Sequence, residues 1–120
     1  MFTTKILLAN PTTLDQTGTE QIGPGYYGSK SVASISIETS AYLGRIELQG
    51  TLASSPSSSD WFTVQLDGDD YLQYDTANTS NTIYNVAGQF TWLRVVITRS
   101  YIGEITLETA GTIKRIILNY

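Results

Sequence analysis

The chain has 120 residues, of which 41% are apolar and only 15% charged, and its formal charge is −4. That length suits one domain able to bury its own core, and an acidic balance with seven scattered Lys and Arg excludes a site for nucleic-acid backbone. With no histidine and no cysteine, Ser-His-Asp and Cys-His catalysis, thiolate metal centres and disulfides are excluded as well.

Ser and Thr take the place of the missing charge and give broad, neutral polar faces of the kind that tolerate contact with other protein. No apolar run approaches the roughly 18 residues of a membrane span, so no membrane partner is expected. The run Ile6–Ala9 is too short for the apolar core of a secretion signal. The expectation is a protein made and used without secretion.

In chain order, "FTTKILLA" at residues 2–9 predicts a first strand. Residues 10–29, "NPTTLDQTGTEQIGPGYYGS", are rich in Pro, Gly and Thr and predict an extended arm or long loop, with room for one more strand within 18–27. "SVASISIE" alternates Ala33, Ile35 and Ile37 with Ser34, Ser36 and Glu38, the period of a half-buried strand. "YLGRIELQG" sets Tyr42, Gly44, Ile46 and Leu48 on one face, against Leu43, Arg45, Glu47 and Gln49 on the other. A serine-rich surface loop covers 53–60. "WFTVQL" follows, with Phe62, Val64 and Leu66 inward and Trp61, Thr63 and Gln65 outward.

Asp67-Gly68 is a strong two-residue turn signal, and with "YLQY" and "TIYNV" as short strands after it, it predicts the tip of a β-hairpin. "QFTWLRVVIT" is apolar on both faces, with Leu93, Val95 and Ile97 against Phe90, Trp92 and Val96. Such a strand is central in its sheet or packs its outer face on another chain. "GEITLE" and "GTIKRIILNY", joined by "TAG" as a tight connection, complete the set. The pattern predicts an all-β chain: one antiparallel, jelly-roll-like β-sandwich of about eight strands with little or no helix. Residues 30–120 would form the core and residues 1–29 a strand plus arm.

Four carboxylates fall within "LDGDDYLQYD", residues 66–75. An EF-hand loop needs Gly at its sixth position and Glu at its twelfth; here Gly68 follows the first Asp directly and the twelfth position is Asn78. A looser cation site at Asp67, Asp69 and Asp70 is the rival to a solvated turn, and the turn is the simpler account. Paired carboxylates for glycoside hydrolysis arise by chance in any chain with eleven acids. No catalytic residue, metal site or cofactor is therefore expected. "NTS" at 78–80 matches the glycosylation acceptor pattern as an isolated tripeptide. Tyr26, Tyr27, Trp61, Tyr71 and Tyr74 are the candidates for contact with a glycan or a protein partner, set against the ordinary use of aromatics in strands and cores. Arg45 and Arg94, inside apolar strands, are expected to pair with a carboxylate such as Glu47, point outward, or bridge to another subunit.

The order "GRIELQGTLASSP…DWFTVQLDG…NVAGQFTWLRVVI…GTIKRIILNY" resembles small β-rich virion structural proteins of tailed phages, notably cyanophages. Gly44, Arg45, Ile46, Gly50, Thr51, Leu52, Asp60, Trp61, Phe62, Gly88, Phe90, Trp92, Leu93, Arg94, Gly111, Thr112, Ile113 and Tyr120 carry the likeness. Gln89 stands where that group has Asn, and residues 1–43 lie outside the likeness. The resemblance implies a jelly-roll-like module of capsid decoration, tail or appendage structures, often a symmetric oligomer, and it carries over no catalytic residues. The resulting expectation is a non-enzymatic capsid decoration (cement) protein, assembled in the host cytoplasm and resident in the virion. Its partners would be major capsid or tail proteins and further copies of itself, a trimer first among them. The alternative is a tail- or fibre-associated module for carbohydrate binding and host recognition.

Overall fold

The computed structural model describes residues 4–28 and 30–120. The described chain contains ten strands and no helix: β1 (Thr4–Leu8), β2 (Gln16–Thr17), β3 (Gln21–Ile22), β4 (Val32–Ser40), β5 (Tyr42–Thr51), β6 (Phe62–Val64), β7 (Leu72–Asn78), β8 (Asn81–Ala87), β9 (Trp92–Thr98) and β10 (Thr112–Asn119). Sheet A runs β1-β10-β4-β8. Sheet B runs β2-β9-β5-β6, with β3 also on β9 and β7 also on β5, and every pairing is antiparallel. Counting β2/β3 and β6/β7 each as one interrupted strand gives eight. Their order is first-eighth-third-sixth in one sheet and second-seventh-fourth-fifth in the other, the jelly-roll order.

The core follows from the period of two. Ala33, Ile35 and Ile37 of β4, Tyr42, Ile46 and Leu48 of β5, and Leu93, Val95 and Ile97 of β9 all point between the sheets and are buried. Each buried aliphatic contributes about 1.5–3 kcal/mol relative to exposure. In β10 the register on β4 shifts between Ile113 and Arg115, so Lys114 and Arg115 both face solvent while Ile113, Ile116 and Leu118 stay inside. Central placement of β9, between β2/β3 and β5, matches the two-faced apolar pattern of "QFTWLRVVIT".

Four expectations change. "GEITLE" is no strand: residues 99–111 form successive turns, with Glu104 in the left-handed region. Thr106 and Thr109 exchange side-chain and backbone hydrogen bonds there, offering the backbone partners that a strand would have supplied. Asp67 and Gly68 do form a tight turn, both with positive φ, closed by reciprocal backbone bonds between Leu66 and Asp69. It does not join two paired strands, however. β6 lies on Leu48–Gly50 and β7 on Tyr42–Ile46, so both run in one direction along β5 and the turn loops out between them. Phe62 shares the inward side with Val64, but at this edge it stays 44% exposed, tilted against Phe90.

The fourth change concerns the predicted arm. Phe2 and Thr3 of the first predicted strand, and Ser29 at the arm's end, lie outside the described residues. The stretch 10–28 does not stand away from the sandwich; β2 and β3 lie on β9 and close one flank. Arg99 holds that flank. It is fully buried, and its Nε, Nη1 and Nη2 donate to the carbonyls of Leu14, Gly111 and Thr13 at 3.0, 3.1 and 2.8 Å. Its guanidinium also faces the Tyr42 ring at 5.4 Å. The Asp15 carboxylate accepts from the backbone N–H of Arg99 and Ser100 and from the Ser100 hydroxyl. Those bonds, led by the Ser100 hydroxyl, hold Asp15 below the usual carboxylate range. Gly44, at φ +126°, leaves room for the Arg99 stem: a Cβ there would lie 2.3 Å from Arg99 Cγ.

Candidate functional site

The outer face of sheet B gathers most of the residues singled out in the sequence. Outward positions on β5 and β9 oppose one another as Arg45↔Thr98, Glu47↔Val96 and Gln49↔Arg94. Tyr71 and Gln73 flank Arg45 on the β7 side, and Trp61 and Thr63 lie along the β6 side. The face is thus a consequence of strand parity: the residues that alternate with the core include two arginines and two glutamines, with aromatic rings beside them.

Both arginines point outward, but among the described residues neither forms an ion pair. The Arg45 guanidinium lies 4.6 Å from the ring centroids of both Tyr71 and Tyr101, and its Nε donates to Gln73 Oε1 at 2.8 Å. Arg94 covers the Trp61 ring at 4.1 Å and donates from Nε to Gln49 Oε1 at 2.8 Å. Gln49 Nε2 in turn donates to Glu47 Oε2 at 3.2 Å, and the Thr63 hydroxyl donates to the same oxygen at 2.8 Å. A relay Arg94–Gln49–Glu47–Thr63 therefore crosses the sheet. Each cation over a ring is worth about 0.5–2 kcal/mol, depending on how dry it is. With Nε fixed by a glutamine, the Nη groups remain to receive a partner's carboxylate or carbonyl.

The five aromatic candidates divide. Trp61 and Tyr71 belong to this face. Tyr26 packs edge-on against Tyr27 (4.9 Å, 76°) and Trp92 (5.4 Å, 79°), next to the β9 end of the face, and Tyr27 is 77% exposed. Tyr74 points the other way: its ring meets Tyr42 edge-on at 6.1 Å, and burial pushes its hydroxyl pKa up. It is partly buried and packs against the core. Tyr101, which sequence reasoning passed over, completes the aromatic clamp on Arg45 from the turns before β10. Nothing local in "SYIGE" marks it; only the fold brings it beside Arg45.

The acidic cluster disperses. Asp70 accepts from Gln65 and Asp75 from Gln73, and among the described residues no three acidic side chains converge to hold a metal. Asn78 of the "NTS" tripeptide accepts from the hydroxyls of Thr39 and Ser80, part-buried at a sheet crossing. Among the described residues the only ion pairs lie on the other sheet, from Glu38 to Arg115 at 3.3 Å and to Lys114 at 3.9 Å. Beside β8 an open groove of about 470 Å³ is lined by Phe62, Val64, Gln65, Asn85, Val86 and Phe90, among others. Comparison with protein-family models, curated proteins and solved structures finds no match for this chain.

Proposed function

We propose that this protein is a non-enzymatic structural component of a phage particle, most simply a capsid decoration protein, that docks through the outer face of sheet B. The observation that carries the reading is the pair of arginines stacked on aromatic rings and oriented by glutamines across the outer face of one sheet. Aromatic and arginine side chains are the residues most enriched at the energetic centres of protein interfaces. The guanidiniums are held in place before binding, so less side-chain entropy is lost when a partner arrives. A partner presenting carboxylates or carbonyls at the spacing of Arg45 and Arg94 fits this face. The jelly-roll order, which viral capsid domains also use, agrees with the reading without identifying the partner.

The test is binding to particles prepared without the protein. Wild-type chain should saturate them at a fixed stoichiometry, stabilising the shell by mass action. Arg94→Ala and Arg45→Ala should each weaken binding by about tenfold or more, the loss of about 1.4 kcal/mol or more at a stacked arginine. Binding that ignores both substitutions would remove this face from the account.

Carbohydrate recognition is the second reading, favoured by the exposure of Tyr27 beside Tyr26. The Tyr26 ring stands at 76° to Tyr27 and at 79° to Trp92, so Tyr26 shares a stacking plane with neither neighbour. A glycan array on which Tyr27→Ala abolishes a wild-type signal would turn the assignment toward recognition.

A further inference from the structure

A two-sheet sandwich has four lateral edges, and unpaired edges invite other strands unless something blocks them. Three of the four are blocked here. On sheet A, β1 carries a bulge between Ile6 and Leu8 and the charge of Lys5, and the Ile6 carbonyl is taken by Gln21 Nε2 at 3.1 Å. On sheet B, the β2/β3 edge is broken into two-residue pieces around Gly18. The opposite edge is interrupted by the acidic Asp67–Asp70 turn between β6 and β7.

The β8 edge has none of these devices. Its seven residues, "NTIYNVA", include no charge and no proline, and they hold an unshifted register on β4 from Asn81↔Glu38 to Ala87↔Val32. The bonds from Gly88 N–H to the Ser31 carbonyl and from Thr39 N–H to the Ser80 carbonyl fix the parity. Even-numbered residues bond to β4, so Asn81, Ile83, Asn85 and Ala87 direct their N–H and C=O groups away from it. The groove between β6 and β8 keeps this edge accessible. Ile83, 68% exposed, stands next to its midpoint.

We infer that the β8 edge pairs antiparallel with β8 of a second copy, joining two four-stranded sheets into one continuous sheet across a two-fold axis. The sequence is complementary to itself in one of the registers this parity allows. Ile83 faces Ile83 of the second copy, and Asn81 faces Asn85 on either side, all on the outer face. Directly opposed pairs on one face are the unit of sheet stabilisation, and here an apolar pair sits between two amide pairs with no like charges opposed. The amides are already oriented: the Ser34 hydroxyl donates to Asn85 Oδ1 at 2.7 Å and the Ser36 hydroxyl to Asn81 Oδ1 at 3.5 Å. Their Nδ2 groups remain as donors across the axis. A second copy suits this edge better than an unrelated strand because the amide positions 81 and 85 repeat about the apolar position 83. The inference stands apart from the outer face of sheet B, and either can fail without the other.

Native mass by light scattering across a dilution series tests it, with Ile83→Lys and Asn81→Lys as paired variants. Wild type should move from 13.2 kDa to twice that mass as concentration rises, and both variants should stay monomeric at the concentrations where wild type pairs. Residue 83 is largely exposed, so the circular dichroism of Ile83→Lys should match wild type. Because the chain has no cysteine, Ile83→Cys places one thiol at the axis, where opposed Cα atoms about 5.5 Å apart lie within disulfide range. Under mild oxidation it should cross-link to a dimer while Ile6→Cys, on the blocked edge, does not. A wild type that is monomeric throughout, a trimer, a dimer indifferent to lysine at 81 and 83, or equal cross-linking from positions 6 and 83 would each overturn the pairing.

Discussion

The two flanks of the sandwich share the same sheets but treat their edges in opposite ways. One is closed by residues 13–22, laid over β9 and anchored by a fully buried arginine whose three guanidinium nitrogens each donate to a main-chain carbonyl. The other stays open between β6 and β8, with a groove, an exposed Ile83 and a run of main-chain groups that no described strand pairs. The closed flank spends its polar chemistry on internal order. The open flank and the adjoining outer face of sheet B leave theirs for other molecules. Substitutions on the closed flank should therefore act on stability, and those on the open flank and outer face on association.

The sharpest test of that contrast is Arg99→Ala. It opens a cavity and leaves the carbonyls of Thr13, Leu14 and Gly111 without their donors, so a loss of about 3–5 kcal/mol is expected in denaturant unfolding. Lysine should not rescue it, because one ammonium cannot match the spread of a guanidinium over three carbonyls. Next in size is Gly44→Ala, about 2–3 kcal/mol, since the new Cβ meets the Arg99 stem at a φ of +126°. A Gly44→Ala chain as stable as wild type would disconnect Gly44 from Arg99.

Asp15→Asn should cost less and should change the pH profile. The folded-state pKa of Asp15 is lowered, chiefly by the Ser100 hydroxyl, so its contribution is fully present above the ordinary carboxylate value of about 4. It is lost as pH falls through the lower folded-state value. Thermal midpoints measured from neutral to acid pH should fall more steeply for wild type than for Asp15→Asn. Smallest of all, Arg94→Ala and Ile83→Lys should each move monomer stability by less than about 1 kcal/mol while weakening association. If either unfolds the chain, the division between flanks fails.

Much of the fold was legible because β4, β5 and β9 alternate cleanly, and alternation alone assigns their buried faces. The same period places Arg99 inside: Leu93, Val95 and Ile97 point inward, and residue 99 is next in phase. An arginine after Thr98 reads as the polar end of a strand, and the carbonyls that satisfy it come from residues 13, 14 and 111, which no local pattern connects. "GEITLE" failed for the converse reason. Its residues favour strands, but no neighbouring strand offers a ladder, and the threonine hydroxyls offer local bonds instead. In the outer face of sheet B, Arg45 and Trp61 were visible as positions opposite the core, Arg94 as an arginine within an apolar strand and Tyr71 as an aromatic candidate for contact. Their mutual stacking depended on register, and Tyr101 on the path of a loop.

The place of β10 has a consequence for how the chain acquires its structure. Latest of the strands in sequence, it is inserted between β1 and β4, with Thr4 opposite Asn119 and Ser40 opposite Thr112. While residues 112–119 are still within a ribosome, β1 has no partner in its own sheet and β4 lacks one of its two. Sheet A can close only after synthesis has passed residue 119, by bringing together segments more than a hundred residues apart, which is the slow, topology-limited route to a native state. Until that moment the nascent chain exposes the strand edges that its finished form conceals, and its yield in a cell should depend on how well those edges are shielded during translation.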